Sequence, residues 1–87
     1  MLTLYSKPNC PHCVQAKAYL DRHAIPYRTV DVIADPAALA FIKETKGHKT
    51  VPQLYVGDTL VVEGGNSGLQ KLAPEEVTRR VATILQG

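Results

Sequence analysis

Alternating apolar and polar side chains mark the first segment of the chain. Leu2–Ser6 shows the two-residue period of a β-strand, and residues 27–32 (Tyr-Arg-Thr-Val-Asp-Val) predict a second strand. Residues 14–23 between them are rich in helix formers. Pro11 stands where the first turn would begin, which is the helix position that tolerates proline best. The pattern predicts a strand, a helix and a second strand.

A second helix is predicted to begin at Asp35-Pro36, an N-cap followed by a first-turn proline. We expect it to continue to about Lys46, with Leu39 and Ile42 facing the core. A glycine follows and ends it.

The remaining sequence predicts a hairpin and a terminal helix. Gln53–Val56 and residues 59–63 are two apolar segments joined by a Gly-Asp turn. A glycine pair then leads into a helical stretch that breaks and restarts at Pro74, ending near Leu85. The element order is β-α-β-α-β-β-α, which predicts an α/β fold with a four-stranded mixed sheet and helices on both faces.

Length and composition limit what such a chain can be. Its 87 residues predict a single domain over residues 1–87, and 45% hydrophobic residues are ordinary for a globular protein. The net charge of +2 is too small to indicate nucleic-acid binding. No segment is apolar enough for a signal peptide or a membrane span, so we expect a cytoplasmic protein with no membrane partner.

The chain has two cysteines, Cys10 and Cys13, separated by Pro11 and His12. A disulfide between them would close a very small ring and contribute little to stability, so the pair calls for a chemical explanation. Cys10 lies between a predicted strand and a predicted helix, where unpaired N–H groups and the helix dipole favour a thiolate. We therefore expect Cys10 to be an exposed nucleophile and Cys13 to be more buried, with a higher pKa.

Half of a zinc site is an alternative reading of this spacing. A closed zinc site needs four ligands, and the three histidines that could complete it have no paired spacing. We therefore expect no metal. A redox dithiol explains the position after a strand better than a pair of inert core cysteines does.

Three segments resemble the glutaredoxin family. They are Tyr-Ser-Lys-Pro-Asn-Cys-Pro-His-Cys at residues 5–13, Thr-Val-Pro-Gln at 50–53 and Gly-Gly-Asn-Ser-Gly-Leu at 64–69. The resemblance extends from residue 1 to about residue 72 and implies the thioredoxin fold. It also implies a cis peptide bond before Pro52.

The resemblance assigns Cys10 as the nucleophile and Cys13 as the resolving cysteine, with Pro11 and His12 between them. It implies glutathione as the co-substrate, bound by a set of residues on three segments. These residues are Lys7, Thr50, Val51, Pro52, Gly65, Asn66 and Ser67. Lys7 matches a contact to the glycyl carboxylate, the Val51 backbone pairs with the tripeptide, and Asn66 and Ser67 match the site of the γ-glutamyl carboxylate.

Two positions depart from the family pattern. An aromatic residue usually stands where this chain has His12, and an aspartate is common near Ser67. The same Cys-Pro-His-Cys tetrapeptide occurs in a strongly oxidising periplasmic member of the thioredoxin superfamily. We therefore hypothesise that the His12 imidazole stabilises the Cys10 thiolate and makes the disulfide more oxidising.

The leading functional hypothesis is a glutathione-dependent dithiol oxidoreductase that reduces protein disulfides and glutathione mixed disulfides as a monomer. A second hypothesis is a thioredoxin-like electron donor to ribonucleotide reductase, recharged by a flavoprotein reductase. A third is an iron–sulfur carrier, which Pro11 and the second cysteine disfavour, because such glutaredoxins mostly have a monothiol Cys-Gly-Phe-Ser motif. His48, Lys49 and Gln53 flank the Thr-Val-Pro segment and are open to either a binding or a purely structural role.

Overall fold

The computed structural model describes residues 1–87. Strand β1 is Leu2–Ser6, helix α1 is Pro11–Arg22 and strand β2 is Tyr27–Asp31. Helix α2, Pro36–Ala40, continues into a π-helical segment, Phe41–Thr45. Strands β3 (Gln53–Val56) and β4 (Thr59–Leu60) are followed by helices α3 (Gly65–Gln70) and α4 (Pro74–Gln86). None of the helices combines the length and the hydropathy that a membrane span requires.

The four strands form one mixed sheet in the order β2-β1-β3-β4. β1 and β2 pair in parallel, with Ser6 opposite Asp31, whereas β3 pairs antiparallel with both β1 and β4. The predicted α/β class, the mixed sheet and the hairpin are confirmed. Because β1 and β2 are parallel, the loops that follow them lie at the same end of the sheet. β3 runs in the opposite direction, so it begins at that end.

Helices cover both faces of the sheet, as the sequence predicts. The larger core packs alternate strand residues such as Leu2, Leu4 and Leu54 against α1, α3 and α4. The smaller core lies on the opposite face, where Val32, Ala38 and Ile42 pack with partly buried aromatic residues. Each fully buried leucine contributes about 1.5–3 kcal/mol of transfer free energy, so the larger core anchors α1 firmly to the sheet.

Two element predictions are wrong in detail. The second helix does not continue regularly to Lys46: after Ala40 it widens, and the N–H of Lys46 donates to the carbonyl of Phe41, five residues earlier. Ala38 and Ile42 share the buried face, so Leu39 is exposed rather than in the core. The widened turn lets Phe41 pack against the rings of Tyr5 and Tyr55.

The last strand is shorter than predicted, because β4 ends at Leu60 rather than at residue 63. The N–H of Val61 still donates to the Leu54 carbonyl, but its own carbonyl accepts a hydrogen bond from Arg80 on α4 at 3.0 Å. The next residue, Val62, is buried in the main core. The chain therefore leaves the sheet after Leu60 and packs against α4.

Helix α1 ends in a left-handed residue that is not glycine. Ala24 has φ 55, its N–H donates to the carbonyl of Asp21, and the N–H of Ile25 donates to that of Leu20. This is the hydrogen-bond pattern of a Schellman cap, which favours glycine at the left-handed position. Ala24→Gly is therefore expected to raise the free energy of unfolding by about 0.5–1 kcal/mol, because the left-handed strain is removed.

Urea unfolding measures the change, and Ala82→Gly is the matched control. Ala82 is exposed within α4, where the same substitution should lower the free energy of unfolding by about 0.5–1 kcal/mol. If both variants lose stability alike, Ala24 is not strained.

Candidate active site

Cys10 is the N-cap residue of α1. Its backbone is extended, with φ −112 and ψ 104, and its Sγ accepts a hydrogen bond from the N–H of Cys13 at 3.2 Å. Asn9 just before it has φ 58, a left-handed conformation that asparagine tolerates, and Pro11 occupies the first turn. The loop thus places the Cys10 sulfur against the N-terminal end of the helix, where a negative charge is stabilised.

The loop before β3 faces this sulfur from the other side. The Val51–Pro52 peptide bond is cis, as the family resemblance implies, and the Cys10 thiol donates to the Val51 carbonyl at 3.9 Å. Cys10 is only 6% exposed, so the expectation of an exposed nucleophile is wrong. The physical reason is that its sulfur lies between the first turn of α1 and the cis-proline loop.

Cys13 is the more buried of the two, with 1% of its surface exposed. Burial, and next a hydrogen bond shared with the Cys10 side chain, raise the pKa of the Cys13 thiol to about 11, while a hydrogen bond from the Lys7 backbone lowers it. Cys13 therefore stays protonated near neutral pH. The prediction of greater burial for Cys13 is confirmed, and the upward direction of its pKa agrees with the expected higher value. Neither cysteine is in a disulfide.

A cleft of about 210 Å³ runs beside the cysteines, between the cis-proline loop and the start of α3. It gathers most of the residues that the sequence assigns to the site. Its lining residues are His12, Thr50, Val51, Pro52, Gly64, Gly65, Asn66 and Ser67. Lys7 is exposed and does not line the cleft. A larger open groove of about 680 Å³ lies along β4 and α4 and shares none of these lining residues.

His12 is exposed and is the one ionisable side chain in the cleft lining. Its imidazole makes no hydrogen bond to the Cys10 sulfur, which instead accepts from the backbone N–H of Cys13. Any effect of His12 on the thiolate in this arrangement is one of charge rather than of direct hydrogen bonding.

Close packing joins the two walls of the cleft. Gly65 has φ +59, and a Cβ on it would stand 2.9 Å from the carbonyl oxygen of Pro52. A side chain at this position would push α3 away from the cis-proline loop. The glycine is therefore required both by the backbone conformation and by the close approach.

Three residues that the sequence did not assign to the site support it. Gln53 is buried, and its Nε2 donates to the Thr50 carbonyl at 3.0 Å while its Oε1 has no partner. Gln15 on α1 accepts from Asn66, and Gln70 donates to Asn66. No sequence signal pairs Gln15 with Asn66, which is 51 positions away.

His48 has a structural role in this arrangement. Its Nε2 lies 2.6 Å from the hydroxyl oxygen of Tyr55, and Tyr55 is 1% exposed. His48 thus gives a buried hydroxyl its hydrogen-bond partner and is absent from the cleft lining. No group of three histidine, cysteine or acidic side chains is placed to hold a metal ion.

Comparison with known proteins identifies the family. The Glutaredoxin family model matches residues 2–61, well over half of the chain. The chain belongs to the glutaredoxin family. The glutaredoxin of Neisseria meningitidis serogroup A is 38% identical to this glutaredoxin over 77 residues, which cover 85% of this chain and 86% of that protein.

Solved structures support the fold of this glutaredoxin. A buckwheat glutaredoxin in complex with glutathione superposes with a TM-score of 0.75 at 22% identity, covering 94% of this chain and 76% of that one. The NrdH-redoxin of Escherichia coli is described as glutaredoxin-like with a thioredoxin-like activity profile. It superposes with a TM-score of 0.67 at 19% identity, covering 84% and 95% of the two chains. At these identities the likeness establishes the thioredoxin fold.

Proposed function

We propose that this glutaredoxin is a glutathione-dependent dithiol–disulfide oxidoreductase, with Cys10 as the attacking sulfur and Cys13 as the resolving one. The observation that carries the proposal is the position of the Cys10 sulfur. It accepts the N–H of Cys13 at the start of α1, and the thiol donates to the carbonyl of Val51, a residue of the cleft lining. A Cys10 thiolate at this position still accepts the backbone N–H of Cys13, and the dipole of α1 stabilises its negative charge.

In the proposed first step, the Cys10 thiolate attacks one sulfur of a substrate disulfide. A Cys10–sulfur bond forms as the substrate disulfide breaks, and the other substrate half leaves as a thiolate that takes a proton from water. With a glutathione mixed disulfide, Cys10 carries the glutathione moiety, and a second glutathione thiolate removes it as oxidised glutathione. This route needs no second cysteine.

Reduction of a protein disulfide takes a different second step. The Cys13 thiol gives its proton to water, and its sulfur attacks the Cys10 sulfur. The Cys10–Cys13 disulfide forms as the bond between Cys10 and the substrate breaks, and the substrate protein leaves as a thiolate that takes up a proton. Two glutathione molecules then reduce that disulfide and leave together as oxidised glutathione. The raised pKa of Cys13 lowers the fraction of Cys13 present as thiolate, and this slows the step.

The backbone of Val51 suits a tripeptide ligand. It lies outside the strands, and neither its N–H nor its carbonyl bonds to another backbone group. An extended ligand can therefore pair with it as an added strand would. Thr50, Pro52 and Gly65 shape the cleft around that pairing, and Ser67 stands exposed at the start of α3. The lining contains no carboxylate, so we propose that the ammonium of the γ-glutamyl group is held weakly.

A thioredoxin-like electron donor is the second candidate, favoured by the likeness to the NrdH-redoxin and by the cleft's lack of a carboxylate. The two candidates differ in what recharges the oxidised protein. Reduction is followed as loss of NADPH absorbance, in one arm with glutathione and glutathione reductase, and in the other with thioredoxin reductase. We expect turnover in the glutathione arm. Turnover only with thioredoxin reductase would replace the proposal by the second candidate. In both cases we propose a cytoplasmic monomer.

Lys7 is proposed to attract the glycyl carboxylate of glutathione from outside the cleft. Lys7→Glu is expected to raise the KM for a glutathione mixed disulfide by about two- to fivefold at low salt, the range of exposed charge interactions. The increase should shrink at high ionic strength through screening. Lys43→Glu, at another exposed lysine, changes the net charge equally and should leave KM unaltered. Equal KM values for the two variants would remove Lys7 from the site.

The His12 hypothesis concerns the redox potential. A protonated imidazole in the cleft places a positive charge near the Cys10 thiolate and stabilises the reduced protein. His12→Tyr is therefore expected to make the potential more negative, by about 30 mV for each tenfold change in the equilibrium constant with glutathione. Redox titration against glutathione measures the potential of both proteins. Equal potentials would leave His12 as a spacer.

A further inference from the structure

The side chain of Asn66 is buried and uses both of its polar atoms. Asn66 is 6% exposed, its Nδ2 donates to Gln15 Oε1 at 2.8 Å, and its Oδ1 accepts from Gln70 Nε2 at 3.0 Å. Gln70 Nε2 also lies 3.4 Å from the backbone carbonyl oxygen of Gln15. Gln15, Asn66 and Gln70 thus form an amide cluster, and both side-chain hydrogen bonds between α1 and α3 end on Gln15.

The amide cluster holds α3 from one side, and the cis-proline loop holds it from the other. Gly65 approaches the Pro52 carbonyl so closely that a Cβ would stand 2.9 Å from it. Helix α3 is therefore fixed between α1 and the loop, with the cleft along its first turn. A shift of α3 would change the width of the cleft.

The cluster also connects the cleft to the redox helix. Gln15 is two residues beyond Cys13 on α1, and Asn66 is the second residue of α3. Gln15 thus gives the first turn of α3 a direct hydrogen bond to the helix that carries the cysteines, in addition to the apolar packing between the two helices. The Asn66 carboxamide is held by one hydrogen bond at each of its polar atoms while the residue also lines this end of the cleft.

We propose that Gln15 is a positioning residue for the glutathione moiety of the substrate, acting through Asn66 on the width of the cleft. The inference rests on the proposed function. Without the Gln15 acceptor, the buried Nδ2 of Asn66 loses its partner and the first turn of α3 loses its tie to α1. Binding of the glutathione moiety weakens, whereas the attack by Cys10, held by the backbone N–H of Cys13, is unaffected.

Three variants test the proposal with a glutathione mixed disulfide in the coupled glutathione reductase assay. Gln15→Leu removes the acceptor, and Gln15→Glu keeps an oxygen that can accept from Asn66. Gln86→Leu makes the same change at an exposed glutamine at the end of α4. Gln15→Leu is expected to raise KM by about three- to tenfold and to change kcat by less than about twofold. At high ionic strength, which screens the charge that glutamate adds, Gln15→Glu should keep KM within about twofold of wild type, and Gln86→Leu should not change it.

The second readout is the rate at which iodoacetamide alkylates Cys10. This rate reports the reactivity of the Cys10 sulfur and does not require binding in the cleft. The rate should be equal in wild type and Gln15→Leu. A lower melting temperature for Gln15→Leu with an unchanged KM would overturn the inference, since the cluster would then serve stability alone. A Gln15→Glu variant that remains as impaired as Gln15→Leu at high ionic strength would also overturn it. Wild-type protein without activity on this substrate would instead overturn the proposed function, and the inference with it.

Discussion

Cys10→Ser is expected to abolish turnover of both glutathione mixed disulfides and protein disulfides, a loss on the order of 10³-fold or more. A serine hydroxyl in the N-cap position can still accept the N–H of Cys13, so helix α1 should stay capped. The variant loses only the thiolate that attacks the substrate. The matched variant is Cys13→Ser, which should retain mixed-disulfide turnover within about threefold, because that route uses a single sulfur. It should lose most of the reduction of protein disulfides.

Steady-state rates on the two substrates, with urea unfolding of both variants, distinguish chemistry from folding. Cys13 is 1% exposed, and the smaller, more polar serine is expected to cost some stability there without unfolding the domain. Equal losses on both substrates in both variants would mean that the roles given to the two sulfurs are wrong. Retained mixed-disulfide turnover in Cys10→Ser would contradict the assignment of the nucleophile.

Gly68→Ala is expected to lower the free energy of unfolding by about 2–4 kcal/mol. A Cβ on this α3 residue would overlap the carbonyl oxygen of Glu63, and would stand 2.9 Å from the carbonyl carbon and 3.2 Å from Val62 Cγ1. The obstructing atoms are mostly backbone, so no side-chain rotation relieves the overlap. Helix α3 must move away from the segment that follows β4, at the cost of the packing between them.

The control for Gly68 is Gly57→Ala in the hairpin turn. Gly57 has φ +58 and open space around it, so its substitution tests backbone strain alone and should cost about 1 kcal/mol. Both variants are compared by urea unfolding and by near-ultraviolet circular dichroism. A Gly68→Ala protein as stable as wild type would show that α3 is not packed against Glu63 as described.

The fold was predictable because its signals are local. Alternation identified β1, the N-cap and proline at positions 35 and 36 identified the start of α2, and the Gly-Asp turn identified the hairpin. The errors lie where contacts between residues far apart in the sequence determine how an element ends. β4 ends early because Arg80 takes the Val61 carbonyl, and the second helix widens where Phe41 packs on Tyr5 and Tyr55.

The candidate site divides in the same way. The two cysteines and the Thr-Val-Pro segment stand out in the sequence, and the structure places Cys10 against Val51. The burial of Cys10 and the amide cluster around Asn66 depend on which segments meet in space. No local sequence pattern predicts these contacts, since Gln15 and Asn66 are ordinary helical polar residues that lie 51 positions apart in the sequence.

The most direct measurement of the central claim is the mass of the Cys13→Ser protein after incubation with oxidised glutathione. The Cys10 thiolate should attack the disulfide and retain one glutathione moiety, releasing the other as glutathione. The account predicts a single adduct, located on Cys10 by peptide mapping and removed by fresh glutathione. The absence of an adduct, together with recharging of the wild-type disulfide by thioredoxin reductase but not by glutathione, would contradict it.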